Sequence, residues 1–291
     1  MSAGQYLRLM LPALLAVPAP AAVSAPDDAG RTVSLAAPAR RIVSLSPHAS
    51  EILAHIGLGE RLVARDGASD YPASLARLPS VGQYGAFNVE AIVALKPDLV
   101  VAWEGPQAGP ATKRLRELGI AVFASQPGDI RAIPATMRAL GRLGGIDQAG
   151  EGKAREFEQG WQALQARYAG SRPLRVVPQV GNDPAMTVND QQFVAAALRA
   201  CGTQNPFGQE RAAVPLISPE ALLAAKPDAI VALAEPAVAE QWLSHWRALP
   251  AGTARLSASA DTLGRPGPRV IAAATALCAK LDLLRSGGKI D

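Results

Sequence analysis

The segment Phe87-Asn88-Val89-Glu90-Ala91-Ile92-Val93-Ala94-Leu95-Lys96-Pro97-Asp98 returns 130 residues later as Ile217-Ser218-Pro219-Glu220-Ala221-Leu222-Leu223-Ala224-Ala225-Lys226-Pro227-Asp228. Both copies run into apolar stretches, Leu99-Val100-Val101-Ala102 and Ala229-Ile230-Val231-Ala232. Each copy reads as a helix opened by an N-cap residue, Asn88 or Ser218, and stopped at the lysine, because a following proline disfavours the helical conformation. A buried strand comes next. A spacing of 130 residues is the size of a domain, not of a solenoid repeat. The repeat therefore predicts two related α/β lobes with a cleft between them, and clefts between lobes are where ligands usually bind.

Working outward, Arg41–Leu45 reads as a strand and Ser46-Pro47 as the start of a helix to about Gly57. Leu62–Arg65 is a second strand, and Ala68–Gly85 is a loop punctuated by Pro and Gly. After the first repeat come a helix near Ala111–Leu118, a strand at Ala121–Ala124 and a helix near Ile130–Leu143. Strands alternating with helices at this spacing argue for parallel sheets. The proline-free stretch from Asp147 to Tyr168 reads as one long helix between the lobes, a stiffer connection than a Gly/Ser linker. The second lobe starts with a strand at Arg175–Val180 and ends in a long helix from Pro268 to about Leu284. The expected organisation is a leader at 1–25, a first lobe at 38–145, a linking helix at 146–170 and a second lobe at 173–287.

Of 291 residues, 49% are apolar, enough for two cores, and the net charge of +4 comes without a basic run, so nucleic acid is not an indicated partner. Arg8, the apolar run Leu9–Val17 and the small-residue stretch Ala21–Ala25 have the pattern of a secretory signal peptide, too short to span a bilayer. In an oxidising compartment the only two cysteines, Cys201 and Cys278, favour a disulfide confined to the second lobe; the alternative is two buried thiols.

The chain has no nucleophile elbow, phosphate-binding Gly loop or HExxH motif, which leaves an enzymatic reading little support. Its three histidines, His48, His55 and His245, are too scattered for an imidazole-rich metal site. Trp103 ends a predicted strand, where ligands of open α/β sheets sit, with Tyr71 and Tyr84 in the loop before it. Its counterpart in the second copy is Leu233. The loop Asp261-Thr262-Leu263-Gly264-Arg265 lies at another strand end. Aromatic faces from one lobe and polar groups from the other suit a large, partly flat ligand, although the aromatics also fit ordinary packing. Trp242 and Trp246, four residues apart on a helix, read as packing residues. Glu90 and Glu220 sit in the first turns of their helices. The helix dipole accounts for them, and so does docking of a two-fold partner.

The opening Arg41-Ile42-Val43-Ser44-Leu45-Ser46-Pro47-His48-Ala49-Ser50-Glu51, the loop Ser69-Asp70-Tyr71-Pro72, the Lys-Pro-Asp repeat and Arg265-Pro266-Gly267-Pro268-Arg269 resemble periplasmic cobalamin-binding proteins. These are substrate-binding components of ABC importers, within a wider group that carries haem and iron-siderophores. The resemblance covers about residues 40–285. It implies a rigid bilobal fold, a periplasmic location, a monomer when free, no catalysis and no cofactor besides the transported ligand. Tyr71 and Asp261–Arg265 match corrinoid contacts, with Tyr84 and Trp103 as aromatic walls. Glu90 and Glu220 match carboxylates that dock on a homodimeric permease served by ATPase subunits. Cys201 and Cys278 match a disulfide pair. The second lobe departs from the pattern at Val180, Met186, Val214 and Thr262-Leu263, where more aromatic side chains are expected. Haem is the leading alternative ligand, with Tyr71 or Tyr84 as an axial oxygen, and a ferric siderophore follows.

Overall fold

The computed structural model describes residues 21–288, apart from 106, 107, 247, 248 and 251. Its strands are β1 (Val23–Pro26), β2 (Thr32–Leu35), β3 (Ile42–Ser44), β4 (Leu62–Arg65), β5 (Gly82–Gln83), β6 (Ala86–Phe87), β7 (Leu99–Ala102), β8 (Val122–Ala124), β9 (Leu174–Gln179), β10 (Gly181–Asn182), β11 (Ala185–Met186), β12 (Thr203–Gln204), β13 (Ala229–Leu233) and β14 (Ala254–Ala258). Its helices are α1 (Pro47–Ile56), α2 (Val89–Ala94), α3 (Gly109–Glu117), α4 (Ile133–Leu143), α5 (Asp147–Tyr168), α6 (Phe193–Ala200), α7 (Pro219–Ala225), α8 (Pro236–Ser244), α9 (Ala260–Leu263) and α10 (Val270–Arg285).

Each lobe is built on a four-stranded, all-parallel sheet, ordered β4-β3-β7-β8 in the first and β12-β9-β13-β14 in the second. In chain order within its lobe, each sheet runs second, first, third, fourth. The strand order therefore reverses direction beside β3 in one lobe and beside β9 in the other. Crevices at such switch points, outside the strand carboxyl ends, are where open α/β sheets bind ligands.

The repeat is equally literal in hydrogen bonds. Asn88 Oδ1 accepts from Ala91 N at 2.8 Å, and Ser218 Oγ accepts from Ala221 N at 3.1 Å. Asp98 accepts from the Arg41 amide at 2.8 Å, and Asp228 accepts from the Arg175 amide at 2.7 Å. Arg41 Nε donates to Leu95 O and Arg175 Nε to Ala225 O, so one arginine covers a helix-end carbonyl in each lobe. Lys96 and Lys226 both take left-handed backbone, at φ 47° and 44°.

Helix α5 packs on α1 and α4 of the first lobe and on α6 and α10 of the second. Its crossing with α4 is close: a Cβ on Gly150 would sit 3.0 Å from Gly141 Cα. One continuous apolar core runs along this side, from Ile42, Leu53 and Leu140 through Phe157 and Trp161 to Val176, Leu198 and Leu277. Separate cores lie on the other face of each sheet, around Ile92 and Val100 in one lobe and Leu222 and Ile230 in the other. A core shared across the junction resists wide hinge motion. In the second lobe, Cys201 and Cys278 are bonded to each other and tie the end of α6 to α10.

The leader reading falls mostly on residues 1–20, outside the described residues. Its boundary at 25 cuts through a folded hairpin. Val23–Pro26 pairs antiparallel with Thr32–Leu35, and Ala25 is buried in the shared core. The turn of this hairpin docks on the first sheet, where Asp27 and Asp28 accept hydrogen bonds from the amides of Ala124 and Gln126. Among the described residues, no helix is long and apolar enough to cross a membrane.

Candidate functional site

The carboxyl end of β7 delivers Trp103, 47% exposed, beside the start of α1. Trp103 and His48 meet in a T-shaped pair at a ring separation of 5.6 Å and an interplanar angle of 84°. His48 is buried, and its Nε2 lies 2.9 Å from the Ser125 carbonyl oxygen, which fixes that nitrogen as the donor. Burial pushes its pKa down to about 4, and the positive charge of Arg265 works in the same direction. A neutral imidazole therefore props the indole, which places His48 behind the wall and not on it.

Tyr84 stands at the tip of the β5–β6 hairpin, 78% exposed and in left-handed backbone at φ 51°. Gly82 makes that hairpin possible, because a Cβ there would collide with Ala86 O at 2.1 Å. Trp103 and Tyr84 line one cavity of about 240 Å³ with Leu45, Ser46, Pro47 and Asp66. Ser46 holds the N-cap backbone position of α1, but its hydroxyl makes no cap bond and is buried without a partner. Burial also raises the pKa of the Asp66 carboxyl, against the lowering effect of its bond from Ser69.

The second group of predicted residues is gathered by ion pairs. Arg265 reaches Asp70 at 2.7 Å, Asp261 at 2.6 Å and Glu51 at 3.2 Å. Asp70 and Glu51 belong to the first lobe, so Arg265 bridges the cleft. Tyr71, half exposed and followed by a cis Pro72, carries the guanidinium of Arg269 over its ring at 4.2 Å. Partial burial pulls the Asp70 carboxyl up, but the hydrogen bond and charge of Arg265 prevail and hold it below the usual carboxylate range.

Two expectations for this loop change. The stretch after β14 is not all loop, since Ala260–Leu263 forms the short helix α9. On that helix Leu263 turns inward, fully buried in the shared core, and it offers no side chain to a ligand. Thr262 is half-buried with its hydroxyl toward Ser259 O at 3.4 Å, whereas Gly264 is exposed. In the second lobe, Val180 and Met186 are partly buried, while Val214 and Leu216 are exposed. Trp246 is buried, its Nε1 donating to Gln179 Oε1 at 2.9 Å, and Trp242 packs beside it, as their spacing predicts. His245 bonds Asn182 Oδ1 at 2.8 Å, on the β10–β11 hairpin that lies between Val180 and Met186. The residues missed from sequence are Glu51 and Asp70 as partners of Arg265.

Glu90 and Glu220 are exposed at the starts of α2 and α7. Glu220 is held below the usual carboxylate range by its own backbone amide and by Ser218. Neither glutamate lines the cavity that holds Trp103 and Tyr84.

Comparison with known proteins fits this architecture. Residues 42–252 match the family model described as periplasmic binding protein. A vitamin B12-binding protein of Vibrio cholerae is 32% identical over 252 residues, covering 84% of this chain and 90% of its own. The crystal structure of the periplasmic vitamin B12 binding protein of Vibrio cholerae superposes with a TM-score of 0.76 at 32% identity, covering 85% of this chain and 98% of that one. A periplasmic heme binding protein from Pseudomonas aeruginosa superposes with a TM-score of 0.72 at 27% identity, covering 86% of this chain and 94% of its own. With two like parallel-sheet lobes, a spanning helix and a family match over most of its length, this chain belongs to the periplasmic binding protein family.

Proposed function

We propose that this protein captures cobalamin in the cleft between its lobes and delivers it to an ABC importer. The observation that carries this reading is the unlike character of the two sides of the cleft. Trp103 and Tyr84 offer exposed aromatic surface on the first lobe, and Asp261 and Arg265 form a charged edge on the second. A corrin ring presents a broad flat face fringed with amides, and that edge can hydrogen-bond amide groups while the aromatics cover the face. The likeness to vitamin B12-binding relatives over nearly their whole length supports the same ligand. The leader directs export to the periplasm, where the protein binds its ligand without converting it. Glu90 and Glu220, alike in place on the two lobes, dock on a permease homodimer that works with ATPase subunits.

Haem is a second reading, favoured by the exposed phenols of Tyr71 and Tyr84, either of which could supply an axial oxygen to iron. Calorimetry separates the two. The mature protein is expected to bind cyanocobalamin at one site per chain and to recover it unchanged. One-to-one binding of haemin, with no heat from cyanocobalamin at high micromolar concentration, overturns the cobalamin reading.

A further inference from the structure

Glu51 lies on α1 of the first lobe with its side chain only 1% exposed. It accepts from Arg269 Nε at 2.8 Å and Arg269 Nη2 at 2.5 Å, and from Arg265 Nη1 at 3.2 Å. Both arginines come from the second lobe, in the segment between α9 and α10. The backbone there comes in close as well, since a Cβ on Gly267 would stand 3.3 Å from Glu51 Oε2. One buried carboxylate thus receives three charge-assisted hydrogen bonds across the junction of the lobes.

The same helix also holds the other side of the rim. Ser50, next to Glu51, bonds Ser44 Oγ at 2.8 Å and Ser69 Oγ at 2.7 Å, and Ser69 donates in turn to Asp66. This buried serine chain pins the start of the loop that carries Asp70 and Tyr71. Asp70 then meets Arg265, and Tyr71 lies under Arg269. Asp70, Asp261 and Tyr71 are therefore each one contact away from an arginine that Glu51 holds.

We propose that Glu51 is a positioning residue: it touches no ligand, but it latches the second lobe to the first and holds Arg265 and Tyr71 at the cleft rim. Its burial suits this role. A buried carboxylate with two guanidinium partners is costly to break, because removing one member leaves a charge uncompensated. Arg265, by contrast, has an exchangeable partner in Asp70, whose side chain is 61% exposed. The Glu51–Arg269 pair is the fixed part of the latch, and the Asp70–Arg265 pair is the part that a ligand acceptor can replace.

The binding arm of the test rests on the cobalamin reading, and the distance arm does not. Nitroxide labels on Lys113→Cys in α3 and Glu240→Cys in α8, both exposed, report the separation of the lobes in ligand-free protein. Glu51→Gln and Arg269→Met are expected to broaden that distance distribution, while circular dichroism stays that of the folded protein. Both variants are also expected to weaken cyanocobalamin binding about tenfold or more, the scale of losing hydrogen bonds to charged groups. Should Glu51→Gln fail to fold, Arg269→Met breaks the same contact from its more exposed side and decides the question. A distance distribution identical to that of wild type in the folded variants overturns the proposal. If wild type does not bind cyanocobalamin, the ligand assignment fails, and the distance measurement still decides the latch.

Discussion

The two lobes share their frame and differ at their ends. The cap residue, the left-handed lysine, the aspartate at the strand start and the arginine over the helix-end carbonyl recur at matched places. Past the carboxyl end of the central strand the likeness stops. Trp103 is half exposed at the strand end, whereas its counterpart Leu233 is buried at 6% exposure. The first lobe adds the β1–β2 hairpin and a hairpin carrying Tyr84, and the second adds a disulfide and the Arg265–Arg269 segment. The difference teaches which groups the fold itself constrains and which it leaves free. Groups that satisfy backbone amides and carbonyls are constrained by the fold in both lobes alike. Groups at the strand ends are free of that duty and can specialise into the two unlike sides of one site.

The largest effect is expected where the lobes stay alike on the outside. Replacing both Glu90 and Glu220 by Ala is expected to cut transport by more than about tenfold, because docking then loses both of its matched charge contacts. Each single replacement is expected to act partially, charge reversal to Arg to act more strongly, and ligand affinity to stay at the wild-type value. Cellular uptake assays beside calorimetry read both. Uptake by the double variant at the wild-type rate would leave the helix dipole as the whole reason for these carboxylates.

The paired positions 103 and 233 give a sharper contrast. Leu233→Ala is expected to lower unfolding stability by about 2–5 kcal/mol, because it opens a cavity in packed core. Trp103→Ala is expected to weaken cyanocobalamin binding by about 1–3 kcal/mol, with little change in stability, because it removes exposed contact surface. Chemical denaturation and calorimetry on both variants test the pair. A Trp103 variant that unfolds while its folded fraction binds normally would return Trp103 to the core.

The smallest effects test the likeness itself. Asn88→Ala and Ser218→Ala each remove an N-cap bond of the same kind, so each is expected to cost about 1 kcal/mol of stability. Denaturant titration that finds one cap costly and the other neutral would show that the repeat is kept in sequence but not in energetics.

Much of this was legible in the sequence, for reasons that the same contrast explains. Local signals marked the frame. The proline-free periodic run predicts a helix over 147–168, and α5 spans Asp147–Tyr168. The N-cap and Lys-Pro signals bracket α2 and α7 closely. Trp103, Tyr84 and Tyr71 were readable as candidates because aromatics at strand ends and in Gly/Pro loops have few other duties. Long-range contacts left no local mark. Glu51 meets Arg269 across 218 residues of chain, and nothing near either residue announces the pairing. In sequence Leu263 reads as part of a loop, because Asp261–Pro268 is rich in turn residues. The single turn of α9 that carries it inward is too short to show periodicity. The small-residue stretch Ala21–Ala25 has the composition of a cleavage site and also of an edge strand, so the hairpin it forms stayed hidden.

The claim that two unlike lobe ends make one corrinoid site is tested most directly by a crystal structure of the protein with cyanocobalamin bound. The account predicts a single ligand in the cleft, its ring face in van der Waals contact with Trp103 and Tyr84. It also places peripheral amides within hydrogen-bonding distance of Asp261 or Arg265. A ligand bound elsewhere, or held by one lobe alone with Trp103 left exposed to solvent, would contradict it.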